Sequence, residues 1–208
     1  MLTLYGMRGS GNCYKPALLM HQLGIGFRWE EVDIVNGASR TDAFLAMNPN
    51  GKVPLLQMDD GRMLAESNAI LCFLAEGSPL FPDNRWQRAQ ILQWLFFEQY
   101  SHEPNIATVR YWVRYLGKRD EWADKIRETM PRGYTALRVM EDALCKHPFI
   151  VGDAYTIADI ALYAYTHCAG DGGYQLDGYP RIAAWLRRVE SQPGFVAMLA
   201  SADTEGVR

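Results

Sequence analysis

The segment Gly77-Ser78-Pro79-Leu80-Phe81-Pro82, with two prolines in six residues, divides the 208-residue chain into parts of different character. Before it, short apolar runs are separated by clusters of turn formers. After it, nearly every stretch carries helical spacing. Neither a single sheet nor a single bundle accommodates both, so the chain reads as a small α+β unit followed by an all-helical one. At roughly 150 residues per domain this length allows one large domain or two small ones. The expected boundaries are 1–76 for the first domain, 77–84 for the linker and 85–208 for the second.

Within the first part, residues 2 to 5 read as a strand ended by Gly6 and Gly9, and a helix from about Asn12 to Leu23 is closed by Gly24 and Gly26. Phe27 to Ile34 has the period of a strand, with poorly separated faces. Thr41 to Met47 makes a short helix that stops at Asn48-Pro49-Asn50-Gly51. Val53 to Met58, the turn Asp59-Asp60-Gly61 and Arg62 to Leu64 form a hairpin, and Ser67 to Ala75 is helical. The order β-α-β-α-β-β-α implies a small mixed sheet.

In the second part, Trp86 to Trp112 reads as one long helix that Pro104 should break or kink. Further apolar stripes run through Tyr134 to Lys146, Ile160 to Cys168 and Ile182 to Val189. Thr156-Ile157-Ala158-Asp159 has the spacing of a capping box, with Tyr155 and Ile160 at the staple positions. It marks a helix start and no chemistry.

Composition excludes several functions. The net charge is −3 and no part is basic: residues 1–76 hold 6 Lys+Arg against 8 Asp+Glu. Nucleic acid is therefore not an expected partner. No apolar stretch reaches the ~18 residues of a membrane span, and the first residues lack the build of a signal peptide. Cys13, Cys72, Cys145 and Cys168 are scattered, so free thiols in the cytoplasm are expected. The four histidines are too dispersed for a metal site. His21 and His147 read as surface positions and His167 as a satisfied helix residue.

Four segments carry more than packing. Ser10, in Gly9-Ser10-Gly11-Asn12-Cys13, stands at a helix start where free N–H groups favour anions; it reads equally as a helix cap. Pro54, in Asn50-Gly51-Lys52-Val53-Pro54, heads a strand without a donor. A cis bond there would leave the Val53 backbone groups to a ligand, whereas a trans bond would make an ordinary loop. Glu66 and Ser67 at a strand-to-helix junction suit the ammonium and carboxylate of an α-amino acid, or else Ser67 is an N-cap. Arg40 is either a fourth contact or a solvated charge.

These segments and their order resemble the cytosolic glutathione transferase family. The most specific matches are N-P-x-G-K-V-P (Asn48 to Pro54), E-S-N-A-I (Glu66 to Ile70) and G-D-x-x-T-x-A-D (Gly152 to Asp159). The resemblance covers nearly the whole chain and has the character of a bacterial member of serine (theta/phi-like) type. It implies a thioredoxin-like N-terminal domain with a mixed four-stranded sheet, followed by an all-α C-terminal domain. It further implies a cis Pro54, with Val53 pairing with the cysteinyl part of glutathione. Glu66 and Ser67 match the γ-glutamyl pair, and Lys52 and Arg40 the glycyl carboxylate contacts. Ser10 matches the catalytic serine, whose hydroxyl donates to the sulfur.

Three residues compete with Ser10. Tyr5 lies in the first strand and reads as a sheet residue. Asn12 can point a side-chain N–H at sulfur, as a helper. Cys13 holds the second position of a C-x-x-C whose first cysteine is replaced by Ser10, which disfavours a dithiol cycle but leaves mixed-disulfide chemistry open. Met7, Arg8, Arg110, Tyr111 and Tyr115 are expected walls of an apolar electrophile pocket, with His102 and Glu103 near its border.

The expectation is a cytoplasmic, homodimeric detoxification enzyme that conjugates glutathione, its cosubstrate, to a small apolar electrophile without a metal. The rivals are a glutathione-dependent reductase, peroxidase or isomerase, and a non-catalytic interaction module of the same fold. An intact set of Ser10, Lys52, Val53, Pro54, Glu66 and Ser67, and the absence of an appended domain, count against the module.

Overall fold

The computed structural model describes residues 1–199. The chain divides into two compact units, one formed by Met1–Glu76 with described residues 193–199, the other by Gly77–Gln192.

The first unit runs β1 (Leu2–Gly6), α1 (Gly11–Leu23), β2 (Phe27–Glu31), α2 (Asp42–Met47), β3 (Leu55–Gln57), β4 (Met63–Ala65) and α3 (Ser67–Ala75). Its sheet has the order β2-β1-β3-β4. β1 pairs parallel with β2 and antiparallel with β3, and β3 pairs antiparallel with β4. This is the mixed four-stranded sheet that the resemblance implied. Successive side chains on a strand point to opposite faces, and the core follows that rule. Leu4 and Leu56 pack with Met20 of α1 and Ile70 of α3. Leu55 packs on the other side with Val32 and Phe44 of α2.

β2 ends at Glu31, short of the expected Ile34. It is an edge strand whose side chains are exposed or half-buried; buried Val32 still donates its N–H to the Gly6 carbonyl at 2.8 Å, and the chain leaves the ladder after it. Gly24 ends α1 in the left-handed region at φ 66°, where its N–H meets the carbonyls of His21 and Met20. Although the second domain was expected to reach residue 208, described residues 193–199 are not helical and belong with the first unit. Tyr14 of α1 donates to the Val196 carbonyl at 2.6 Å, which gives that segment a polar anchor.

The second unit holds α4 (Arg85–Phe97), α5 (Glu103–Arg110), α6 (Ala123–Ala143), α7 (Ile157–Thr166) and α8 (Pro180–Glu190). The expected long helix is present as a continuous path, but two π turns, Glu98–His102 and Tyr111–Tyr115, interrupt its α geometry. Pro104 falls in the first turn of α5, just past the first π turn. A missing N–H is tolerated there, so the proline neither ends the path nor stands in a helix interior. Every residue of α7 is buried. Its capping box forms as expected, with Asp159 accepting from the Thr156 N–H at 2.9 Å.

Candidate functional site

The β1–α1 loop turns at Gly9, whose φ of 81° is open to glycine. The Ser10 N–H donates to the Met7 carbonyl at 3.1 Å, and Ser10 then occupies the N-cap of α1. A serine in that place usually spends its hydroxyl on the helix's orphan N–H groups. Here the side chain makes no cap bond, so the capping alternative for this hydroxyl is set aside. The hydroxyl instead hydrogen-bonds the Cys13 thiol one turn on.

Cys13 itself is fully buried. Burial pushes its thiol up to about 11, and the Ser10 hydrogen bond opposes that only in part. A thiol so placed is protonated at neutral pH, a poor nucleophile. The Asn12 side-chain carbonyl accepts from the Ser67 hydroxyl at 3.3 Å and thereby links the starts of α1 and α3. Tyr5 is a sheet residue, as read, and its hydroxyl donates to Gln57 at 3.1 Å.

Met7, Arg8 and Ser10 line an apolar cavity of about 360 Å³ together with Tyr14, Trp29 and residues 196–199. Arg8 is held by Glu31, which accepts from its backbone N–H at 2.9 Å and from the Trp29 indole at 2.7 Å. Trp29, Tyr14 and the 196–199 segment were not anticipated. An aromatic on a strand with ill-separated faces carries no local sign of lining a cavity.

The other flank is built around Pro54. The Val53–Pro54 bond is cis. β3 begins only at Leu55, leaving the Val53 backbone outside the ladder. The Asn48 amide braces the loop by donating to the Lys52 carbonyl at 2.8 Å. Arg40 donates to the Asn50 carbonyl at 3.1 Å and lies across Gly51, where a Cβ would meet its guanidinium. Arg40 and Lys52, both exposed, thus share one loop edge.

Glu66 is the one non-glycine at positive φ among the described residues, at 71°. Such a conformation costs about 1–3 kcal/mol and persists where the surroundings impose it. Glu66 is the N-cap of α3, so Ser67 is its first residue and does not cap it. Ser67 is 5% exposed. Its hydroxyl accepts from the Lys15 ammonium at 3.3 Å while donating to Asn12. An α-amino acid would find an acid for its ammonium at Glu66, and for its carboxylate the positive N-terminus of α3 at Ser67.

Of the expected pocket residues in the second unit, Arg110 is 3% exposed and paired with Asp171 at 2.9 Å. It also donates to the Tyr115 hydroxyl at 3.4 Å. Tyr111 and Tyr115 are half-buried, their ring centroids 6.0 Å apart. Arg110 is therefore committed within its own unit. His102, expected near a site border, is fully buried and bonded to the Thr166 hydroxyl at 2.9 Å. His167 is satisfied, its Nδ1 2.8 Å from the Tyr163 carbonyl.

The family descriptions "Glutathione S-transferase, N-terminal domain" and "Glutathione S-transferase, C-terminal domain" match residues 9–76 and 105–193. A glutathione S-transferase crystal structure from Pseudomonas fluorescens Pf-5 superimposes with a TM-score of 0.94 at 52% identity, covering 96% of this chain and 99% of that one. A structure of Ure2p in complex with glutathione is 26% identical with a TM-score of 0.86, over 95% and 97% of the two chains. The disulfide-bond oxidoreductase YfcG of Escherichia coli K12 is 28% identical over 93% of this chain and 92% of its own. By the matches to both of its domains, the chain belongs to the glutathione S-transferase family.

Proposed function

We propose that the protein is a glutathione transferase of bacterial, serine-type character that conjugates the glutathione thiolate to a small, largely apolar electrophile. The observation that carries this is the Ser10 hydroxyl, at the positive end of α1 beside an apolar cavity and not used to cap the helix. Val53 offers its backbone to the cysteinyl part, Glu66 and Ser67 hold the γ-glutamyl end, and Lys52 and Arg40 serve the glycyl carboxylate. Asn12 acts as a helper through Ser67. Met7 and Arg8 contribute to the electrophile pocket.

In the reaction, the glutathione thiol loses its proton to solvent and Ser10 Oγ–H donates to the resulting thiolate. The sulfur pair then forms a C–S bond while the leaving group departs with its electrons. A hydrogen bond to a charged acceptor contributes about 1.5–3 kcal/mol, or roughly one to two pKa units. Ser10→Ala is therefore expected to raise the pKa in the kcat/KM profile by about one to two units. Conjugation of a chloronitrobenzene at neutral pH falls about 10- to 100-fold, while glutathione affinity stays within about threefold. An unchanged profile overturns the role of Ser10.

The likeness to YfcG favours one second reading, glutathione-dependent disulfide reduction. The buried, protonated Cys13 counts against a protein-thiol route to it. Assaying a chloronitrobenzene, an organic peroxide and a disulfide side by side decides between conjugation and reduction. The active form is proposed to be a cytoplasmic two-fold dimer. Trp86, Phe96 and Tyr100, large apolar residues exposed along α4 and the turn after it, suit cover by a second copy, and light scattering tests this.

A further inference from the structure

Lys15 is the buried lysine among the described residues, with 0% exposure. Burying an ammonium is costly, several kcal/mol even after relaxation, and a methionine or leucine would fill the same space. The charge therefore has a consequence to be found in what it touches. Its Nζ donates to Ser67 Oγ and to Asn68 Oδ1, both at 3.3 Å. These are the first two residues of α3, whose leading N–H groups already give that end a positive potential. The Ser67 hydroxyl in turn donates to Asn12 Oδ1 at 3.3 Å. A hydroxyl that accepts from a cation is a stronger donor in turn.

We propose that Lys15 is a positioning residue for glutathione. Its ammonium orients and polarises Ser67 and adds to the charge at the start of α3, so that this end holds the α-carboxylate of the γ-glutamyl group. This rests on the reading of Ser67 given above and assigns the source of its charge. Lys15 does not touch the reacting sulfur. Its effect falls on binding and not on the chemical step.

The test is calorimetric titration of the wild type, Lys15→Met and Lys15→Arg with two ligands, glutathione and its analogue in which the γ-glutamyl α-carboxylate is a carboxamide. Lys15→Met is expected to weaken glutathione about 10- to 100-fold. It should leave the carboxamide analogue within about twofold of wild type, and Lys15→Arg should recover most of the loss. In steady-state assays KM for glutathione rises while kcat at saturation stays within about twofold. Should Lys15→Met fail to fold, Lys15→Gln, which keeps a donor without the charge, is read by the same criteria. Equal loss for both ligands, or unchanged glutathione affinity, overturns the proposal. A wild-type protein that binds glutathione no better than the analogue overturns it too. A wild type that binds neither ligand at millimolar concentration overturns the glutathione reading itself.

Discussion

Ser10 and Cys13 stand one helical turn apart at the start of α1, the serine hydroxyl hydrogen-bonded to a thiol that burial holds at a pKa of about 11. The first position of a C-x-x-C arrangement thus carries a half-buried hydroxyl and the second a fully buried, protonated thiol. The hydroxyl stands at the cavity, while the sulfur faces the interior, where a Cβ on Gly6 would come within 3.0 Å of it.

That separation sets an order of thiol reactivity. At pH 8 a thiol of pKa about 11 is roughly one part in a thousand thiolate. Cys168 is raised to about 11 as well, chiefly by burial, whereas Cys145 is exposed. Iodoacetamide on the native protein is expected to modify Cys145 first and to reach Cys13 only after denaturant is added. Peptide mass spectrometry reads the order. Rapid native labelling of Cys13 would restore it as a redox nucleophile.

Asp159 anchors the second unit through both oxygens. Oδ1 accepts from the Ile150 N–H at 2.9 Å and the Trp185 indole at 2.8 Å, and Oδ2 from the Thr156 N–H at 2.9 Å. Asp159→Asn turns one acceptor into a donor facing donors and is expected to cost about 2–4 kcal/mol, read from urea unfolding. Burial, the largest influence, pushes the Asp159 carboxyl up from 3.8 to about 6. Between those values the folded state holds a proton that the unfolded state has released. This group's contribution to stability is therefore full below about pH 4 and lost as pH rises to about 6. The stability difference between wild type and Asp159→Asn should shrink across that window and stay level above it. A difference that grows with pH contradicts the assignment.

Much of this fold is legible in the sequence because its signals are local. The β-α-β-α-β-β-α order follows from turn formers such as Asn48-Pro49-Asn50-Gly51 and from the periods between them. The capping box at Thr156 and Asp159 is likewise a pattern within four residues. What escaped depends on partners far along the chain. Lys15 takes its meaning from Ser67, 52 residues on, and Tyr14 from Val196, 182 residues on. Arg110 reads as a pocket cation until Asp171 is found beside it. The π turns leave no local mark beyond Pro104, whose position after the first of them inverts its usual meaning.

The pair Arg110–Asp171 separates a structural from a ligand-binding role. Removing one partner of a buried pair costs about 3–5 kcal/mol at full burial, and here Arg114, 3.5 Å from Asp171, keeps that carboxylate partly paired when Arg110 is lost. Asp171 is 32% exposed on its side chain, so solvent reduces this to roughly 1–3 kcal/mol. Arg110→Met and Asp171→Asn should each lower the unfolding midpoint, and the double variant should lose less than their sum. If Arg110→Met instead raises KM for the electrophile with the midpoint unmoved, the residue belongs to the pocket and its ion pair is incidental.

Residues 196–199 form one wall of the cavity, and Tyr14 of α1 ties that wall down by donating to the Val196 carbonyl at 2.6 Å. Tyr14→Phe keeps the ring and removes that hydrogen bond. The ring is buried and the bond bears on a short terminal stretch, so the cost should fall locally, at about 0.5–1.5 kcal/mol. Amide exchange is expected to quicken over residues 193–199 with little change across β1 and α1. With the wall loosened, KM for an apolar electrophile should rise while the glutathione Kd is held, because the cavity and the Ser67 site draw on different residues. A matched rise in both constants would mean that the segment supports the whole site and not the cavity alone.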